Sequence, residues 1–270
     1  MNYTIQQAHL YSPYSPIFLI TDVPGNKFDF VNYINMNDYL EEALAFSKLY
    51  KHMSTNGFEQ ELFCFQRWFI IKQVIEKRSI DEFLYLDSDI LLFCNADEVF
   101  GKFNMFDFTV CNKIGPQYAY FSSKNKLFKF CEFVAQLYSR PEYYKRLEEK
   151  YRNHIDHNLP GGVCDMTAFS EYQYHQLGAV KDLAVIENGA VFDDNINSSD
   201  GFEMSALGIK KIKKKGKSVF CKQIDSKKMI RFNALHFQGV GKKYVYKYYS
   251  RNNLIIQQLM DFLRDIKHRK

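Results

Sequence analysis

The sequence lacks the marks of several common protein classes. Its six cysteines, at positions 64, 94, 111, 131, 164 and 221, form no Cys-x-x-Cys pair, which argues against a zinc knuckle or a thioredoxin-like motif and favours buried, reduced thiols. No apolar run approaches the roughly 18 residues that a membrane-spanning helix needs. The first residues also lack a basic segment followed by an apolar one. We therefore expect a cytoplasmic protein with at most a peripheral membrane contact.

The sequence also has little excess of charge of one sign, apart from one cluster of lysines. The 270 residues carry 36 basic and 31 acidic side chains, for a net charge of +5, and 46% of them are hydrophobic, which is enough for a sizeable core. Six lysines lie between Lys210 and Lys217. No nucleic-acid-binding motif accompanies them, so we expect a solvated hairpin or loop and no nucleic-acid partner. A phosphate-rich ligand or an anionic membrane is the alternative.

Apolar runs and helical periodicity alternate along the chain, which indicates an α/β fold. Pro16 to Asp22 and Met229 to His236 have the pattern of strands, and Phe58 to Lys77 repeats apolar residues at helical spacing. We predict a central, mostly parallel sheet flanked by helices. Asn253 to Lys267 is predicted to be an amphipathic helix that packs on this domain, with a basic end that could contact anionic lipid.

Two carboxylates interrupt an apolar stretch in the first third of the chain. Phe83 to Leu86 is typical of a buried strand, and Asp87 and Asp89 follow at its carboxyl end, where open α/β sheets bind ligands. Side chains two positions apart on extended backbone share a face. The two aspartates could therefore hold one cation, and oxygen ligands favour Mg²⁺ or Mn²⁺. The alternative is that both only cap a turn.

The last predicted strand ends in a second group of polar residues. His236 is followed by Gly239 and Gly241, which permit close approach of the backbone, and then by Lys242. A histidine at a strand end, glycines and a lysine suit a site for a metal and a diphosphate. The other interpretation is a core histidine whose ring nitrogens only form hydrogen bonds within the protein.

Two further charged residues are ambiguous from the sequence alone. Asp165 follows a glycine turn at the start of a predicted helix, where a carboxylate either caps the helix or points into a crevice. Arg67 lies on the aromatic part of the helix Phe58 to Lys77, where it either covers an aromatic face or contacts a ligand.

Together these motifs resemble those of GT-A fold glycosyltransferases, particularly family 8 and its relatives. Leu84-Tyr-Leu-Asp-Ser-Asp-Ile-Leu is similar to the metal-binding Asp-x-Asp strand of that family, and His236-Phe-Gln-Gly-Val-Gly-Lys is similar to its His-x-x-Gly-x-x-Lys motif. Gly161-Gly-Val-Cys-Asp-Met-Thr and Arg67 match more weakly. The resemblance covers about residues 17–244.

The resemblance implies a single GT-A domain over residues 1–250, with residues 251–270 as the packed helix. It implies transfer of a sugar from a nucleotide-diphosphate sugar, expected to be a UDP-sugar, to a hydroxyl of a glycan or other acceptor. Asp87, Asp89 and His236 would hold Mn²⁺ or Mg²⁺, and Asp165 would be catalytic. The residues that would contact the donor are Thr21, Asp22, Arg67, Ser88, Gly239 and Lys242.

Two other functions remain open at this point. A nucleotidyltransferase that makes an activated sugar also binds a nucleotide and a metal, but it needs a long glycine-rich, lysine-bearing loop near the N-terminus, and Val23-Pro-Gly-Asn is short. A non-catalytic module that binds glycans or nucleic acid would use the aromatic residues and the lysines from 210 to 217. A binding module of this kind does not explain the pattern of Asp87, Asp89, His236 and Lys242.

Overall fold

A computed structural model of the chain describes residues 2–23, 25 and 27–250. Over these residues the chain is a mixed α/β protein, which confirms the predicted class. The predicted helix Asn253 to Lys267, and with it the segment 251–270, lies outside the described residues. Within the described ranges, no helix is both long enough and apolar enough to cross a membrane.

Helices and strands are numbered here in chain order. The described helices are α1 (Asn2–Tyr11), α2 (Glu41–Ser47), α3 (Phe58–Lys77), α4 (Ala96–Phe100), α5 (Lys124–Ser139), α6 (Pro141–Asp156), α7 (Asp165–Tyr174) and α8 (Val245–Tyr248). The described strands are β1 (Ile17–Thr21), β2 (Val31–Asn35), β3 (Phe83–Leu84), β4 (Ile90–Leu92), β5 (Phe108–Val110), β6 (Tyr120–Phe121), β7 (Val180–Asp182), β8 (Ala190–Phe192), β9 (Lys213–Lys215), β10 (Ser218–Lys222) and β11 (Met229–His236).

The chain divides into two compact units. The first unit consists of the segments before Ser15, from Asp87 to Asn95 and after Ala184, and the second unit consists of residues 15–86 and 96–184. The chain passes from the second unit to the first between Leu86 and Asp87. The prediction of one glycosyltransferase domain over residues 1–250 stays a prediction.

The first unit is built around β11, which has the bounds that the sequence predicts. It pairs antiparallel with β10 and β4 and parallel with β8, and β9 extends the sheet beyond β10. The side chains from Phe232 onward are buried, so this strand supplies much of the unit's core. Helix α1 contacts β4.

The second unit contains two sheets and most of the helices. Strands β1 and β2 form a parallel pair, and the other four strands lie in the order β3, β6, β5, β7. Helix α3 contacts α2, α5 and α7, and its side chains form part of an aromatic core together with those of α5, α7, β5 and β6. The aromatic rings at its centre are Phe65, Trp68, Phe108, Phe121, Phe130 and Phe169.

Helix α3 has the bounds predicted from its apolar period. Gly57 precedes it in an extended conformation, glutamates occupy its first turn, and Lys77 is in its last turn, which suits the helix dipole. Trp68 is completely buried on it. Phe58, which the periodicity placed on the buried side, is 48% exposed because it lies in the first turn, at the end of the packed stripe.

The sheet differs from the single, mostly parallel one that we expected. Among the described strands there are three sheets, and antiparallel pairs outnumber parallel pairs. Strand β6 pairs antiparallel with both β3 and β5. Antiparallel strands do not need the long crossover connection that parallel strands require. Apolar content predicts burial but does not fix the direction of pairing.

Candidate functional site

The first unit brings Asp87, Asp89 and His236 together through the pairing of two strands. In the antiparallel pair of β4 and β11, Ile90 lies opposite His236. The Phe237 amide then donates a hydrogen bond of 3.0 Å to the Asp89 carbonyl, and the Ile90 amide donates to the Asp87 carbonyl in a tight turn. The register of this pair therefore places a histidine from the end of the chain beside two aspartates from its first third.

The three side chains form a compact set of possible metal ligands. Ligand atoms of Asp87, Asp89 and His236 all lie within 4.8 Å of one another. His236 Nε2 is 3.5 Å from Asp89 Oδ1, and the Lys242 ammonium is 3.3 Å from Asp89 Oδ2. The His236 side chain is 7% exposed and the Lys242 side chain is 62% exposed. The carboxylates are thus accessible on the side of Lys242 and enclosed on the side of His236.

The orientation of His236 suits a ligand role. Its Nδ1 lies 2.5 Å from the Asp194 carbonyl, and a carbonyl only accepts hydrogen bonds, so Nδ1 carries the proton. In the neutral ring the lone pair is then on Nε2, which faces Asp89. Metal-bound histidines are usually held in this way by an acceptor at the other nitrogen. Two carboxylates with such an imidazole fit Mn²⁺ or a similar divalent cation.

The charges of the cluster depend on one another. Burial alone would raise the pKa of Asp89, but hydrogen bonds and charges from His236 and Lys242 outweigh it and hold this pKa below its ordinary value. Burial alone would lower the pKa of His236, but the Asp89 carboxylate, the Asp194 carbonyl and the charge of Asp87 together outweigh it and raise this pKa above its ordinary value. The metal-free site thus stabilises an imidazolium and carboxylate pair.

We expect Asp89→Asn to lower the pKa of the His236 imidazole, because burial is then opposed by less carboxylate charge. The measurement is a titration of the histidine ring protons by NMR in metal-free buffer, with the His236 signal assigned by its loss in His236→Gln. The other histidine signals serve as the control. An unchanged His236 titration would contradict the expectation.

The same titration sets the direction of any pH dependence of metal binding. A metal binds the neutral imidazole, so protons compete with it. Because the pKa of His236 is raised in the metal-free protein, Mn²⁺ affinity should fall as the pH falls through that pKa and level off above it.

Ser88 and Gly239 lie beside the cluster in the chain, and the structure gives each a local role. The Ser88 carbonyl accepts a hydrogen bond of 3.0 Å from the Thr4 hydroxyl of α1, while the residue itself is exposed. Gly239 has a φ of +53° and opens the short 3₁₀ helix Gly239–Tyr244 that presents Lys242. A side chain would be strained at that φ.

The second unit contains the other predicted charged residues, Arg67 and Asp165, as an ion pair. Arg67 Nη2 donates to Asp165 Oδ2, and the Trp68 indole donates to the same oxygen at 3.0 Å. Arg67 also donates to the Tyr85 hydroxyl at 2.8 Å, and its guanidinium lies 5.1 Å from the centroids of the Trp68 and Tyr85 rings. Arg67 therefore covers aromatic faces, as one of its two interpretations has it, and pairs with a carboxylate of the protein; its contact with a ligand stays a prediction.

Asp165 does not cap helix α7, which was one of its two interpretations. Cys164 occupies the N-cap position, and its amide donates to the Thr167 hydroxyl at 3.2 Å. Asp165 is the first residue of the helix, where its charge suits the dipole, and its buried carboxylate contacts α3 instead. The hydrogen bonds from Arg67 and from the Trp68 indole both end on Asp165 Oδ2, which fixes the carboxylate in one orientation.

Thr21 and Asp22 lie at the carboxyl end of β1, as predicted. The Thr21 hydroxyl accepts a hydrogen bond of 3.1 Å from the Val23 amide, and Asp22 is exposed. Thr21 is therefore used locally to close the turn, and Asp22 remains accessible for a ligand.

Three residues of the first unit are not predicted from the sequence: Asp193 and Asp194, which contact His236, and Lys210, which contacts Asp193. They fall in a region whose order could not be read from its pattern. The available signal was the acidic pair directly after the apolar strand β8, which repeats the arrangement at Asp87. Lys210 was assigned to a solvated lysine cluster. That prediction is confirmed for β9, whose lysines are exposed, but Lys210 is only 1% exposed.

Comparison of the chain with protein-family models, with curated proteins and with solved structures gives no significant match.

Proposed function

We propose that this protein is a metal-dependent glycosyltransferase of the GT-A type. The reaction would move a sugar from a nucleotide-diphosphate sugar to a hydroxyl of a glycan or another acceptor. The observation that supports the proposal best is the convergence of Asp87, Asp89, His236 and Lys242 in the first unit. The GT-A assignment itself rests on the order and spacing of the motifs in the sequence.

Each residue of this cluster has a role that follows from its chemistry. Asp87, Asp89 and His236 would hold the cation, which when bound neutralises the diphosphate and makes it a better leaving group. Lys242 has a mostly exposed ammonium and would add a positive charge next to the departing diphosphate. His236 is the best-fixed member because its ring is enclosed and held at Nδ1.

The bond changes of the proposed reaction are simple. The bond between the sugar and the diphosphate breaks, with its electron pair leaving on the phosphate oxygen, and the acceptor hydroxyl forms a new bond to the sugar carbon as it loses its proton. Asp165 would orient the donor sugar or the acceptor hydroxyl, and would accept that proton if the reaction inverts configuration. This role of Asp165 rests on the resemblance of the sequence motifs; within the second unit its buried carboxylate is bound by Arg67 and Trp68.

A thermal-shift screen tests the proposal directly. Nucleoside diphosphates of each base are added with and without Mn²⁺, and one of them should raise the melting temperature only when the metal is present. Binding at about a hundredfold excess over Kd stabilises by about 2.7 kcal/mol, or roughly 5–10 °C for a chain of this size.

Nucleoside monophosphates and samples with EDTA are the controls for that screen. No shift with any diphosphate, or a shift that does not require Mn²⁺, would contradict the proposed metal-bridged donor site. Salt-sensitive binding of RNA or DNA together with that result would favour the non-catalytic binding module.

A further inference from the structure

Lys210 forms a buried, fully occupied charge cluster in the first unit. Its ammonium donates to Asp193 Oδ1 at 2.6 Å, to Asp200 Oδ2 at 2.6 Å and to the Asn195 carbonyl at 2.7 Å. The Lys210 side chain is 1% exposed and that of Asp193 is completely buried. An ammonium has three protons to donate, so each has one acceptor, and all three acceptors belong to the segment 193–200.

The same segment holds His236 at three points. Asp193 Oδ2 accepts the His236 amide proton at 3.2 Å, which leaves Asp193 bridging Lys210 and His236 with its two oxygens. The Asp194 carbonyl accepts from Nδ1 at 2.5 Å, and the Ile196 amide donates to the His236 carbonyl at 2.9 Å. The backbone and the ring of His236 are therefore both held by residues of the segment 193–200, three of whose members Lys210 ties together.

Residues of this segment also contact the chain directly after His236. Asn195 Nδ2 donates to Gln238 Oε1 at 2.8 Å, and Asn197 Nδ2 donates to the Gln238 carbonyl at 2.6 Å. A Cβ atom at Gly241 would lie 2.6 Å from Ile196 Cγ2. The glycine in this motif thus permits close packing against the segment 193–200, in addition to any freedom that a ligand requires.

We propose that Lys210 is a positioning residue: by tying Asp193, Asn195 and Asp200 together it fixes the Nδ1-protonated form and the orientation of His236. The metal-binding consequence rests on the proposed function, whereas the orientation of the ring does not. With Lys210 in place, the Nε2 lone pair faces Asp89. Without Lys210, the segment 193–200 loses the three hydrogen bonds that tie it together. The Asp194 carbonyl and the Asp193 carboxylate are then less well positioned, and the His236 ring can change tautomer and rotamer.

A purely structural role for the cluster makes a different prediction. Buried ion pairs seldom stabilise a fold more than well-packed apolar residues of the same size, because both charges must leave water. If Lys210 served only stability, an apolar side chain of similar length would change the free energy of unfolding and leave the state of the His236 ring as it is. The two roles are separated by observing the ring itself.

The first test compares metal-free wild type, Lys210→Met and the matched control Lys222→Met by long-range ¹H–¹⁵N NMR with labelled histidine. Lys222 forms a partly exposed ion pair with Glu203 in the same unit and lies outside the segment 193–200. In wild type and control, neutral His236 should show only the Nδ1-protonated pattern. In Lys210→Met a second tautomer should appear. An unchanged pattern in a folded Lys210→Met protein would overturn the proposal.

The second test measures Mn²⁺ affinity by calorimetry on the same proteins, well below their melting temperatures. Lys210→Met should bind Mn²⁺ at least about tenfold more weakly than wild type and Lys222→Met, as expected when the support of a metal ligand is removed. Equal affinity in a less stable Lys210→Met protein would overturn the positioning role. No Mn²⁺ binding by wild type would refute the proposed metal centre, and the tautomer comparison would still decide the orientation of His236.

Asp200→Ala provides a milder variant in case Lys210→Met does not fold. The Asp200 side chain is 34% exposed, so its removal deletes one acceptor and keeps the buried pair of Lys210 and Asp193. The second tautomer and the weaker Mn²⁺ binding should both appear to a smaller degree. Wild-type behaviour in both measurements would count against the proposal.

Discussion

Replacing Asp87 with alanine should lower kcat/KM for the proposed sugar transfer by at least about a thousandfold. Neutralising the charge of a leaving diphosphate lowers the free energy of the transition state by several kcal/mol. Each 1.36 kcal/mol corresponds to about tenfold in rate. Asp87 is partly exposed in the turn before β4, so the change removes a ligand without opening a cavity. The fold should therefore be retained.

The measurement combines turnover with the donor identified by the thermal-shift screen and direct Mn²⁺ titration. Asp225→Ala is the matched control because Asp225 is exposed in the turn between β10 and β11 and carries the same charge. It should behave as wild type in both assays. Full activity of Asp87→Ala at limiting Mn²⁺ would show that Asp87 is not a ligand of the proposed metal centre.

Asp165→Ala should reduce the free energy of unfolding by about 3–5 kcal/mol, the cost of leaving a buried ion pair with one partner. The change removes the carboxylate partner of Arg67 and the acceptor of the buried Trp68 indole. The Arg67 side chain is 18% exposed, so the positive charge that remains has little access to water. Urea denaturation followed by tryptophan fluorescence measures this change, since Trp68 is the only tryptophan.

A double-mutant cycle shows whether the loss comes from the ion pair. Arg67→Met combined with Asp165→Ala should be more stable than the sum of the two single changes predicts, by about 0.5–3 kcal/mol. Asp81→Ala is the control, because Asp81 is an exposed aspartate of the same unit. Simple additivity of Arg67→Met and Asp165→Ala would mean that the two side chains do not stabilise each other.

The sequence predicts those parts of the fold that local patterns determine. The bounds of α3 and β11 follow from a 3.6-residue period and from an apolar run bounded by polar turns. The grouping of Asp87, Asp89 and His236 follows from motif resemblance, and the structure brings their side chains together. The period of α3, the apolar run of β11 and each of the two motifs are short stretches of neighbouring residues.

Other features depend on partners that are distant in the sequence. Lys210 is buried only because Asp193 and Asp200 reach it from another segment, and no periodicity distinguishes it from the exposed lysines of β9. Helix α1 was not predicted because its buried residues include Thr4 and Gln7, so it has no apolar stripe. The direction of strand pairing is likewise set by packing across the sheet.

The three consecutive lysines of β9 have a consequence for how copies of this protein meet. β9 is the last described strand beyond β10, and its lysine side chains are exposed. The unpaired backbone of such a strand is a template on which another chain can add a strand. Two copies that approached edge to edge would bring their ammonium groups into contact, so repulsion should keep concentrated solutions from assembling into fibres through this strand.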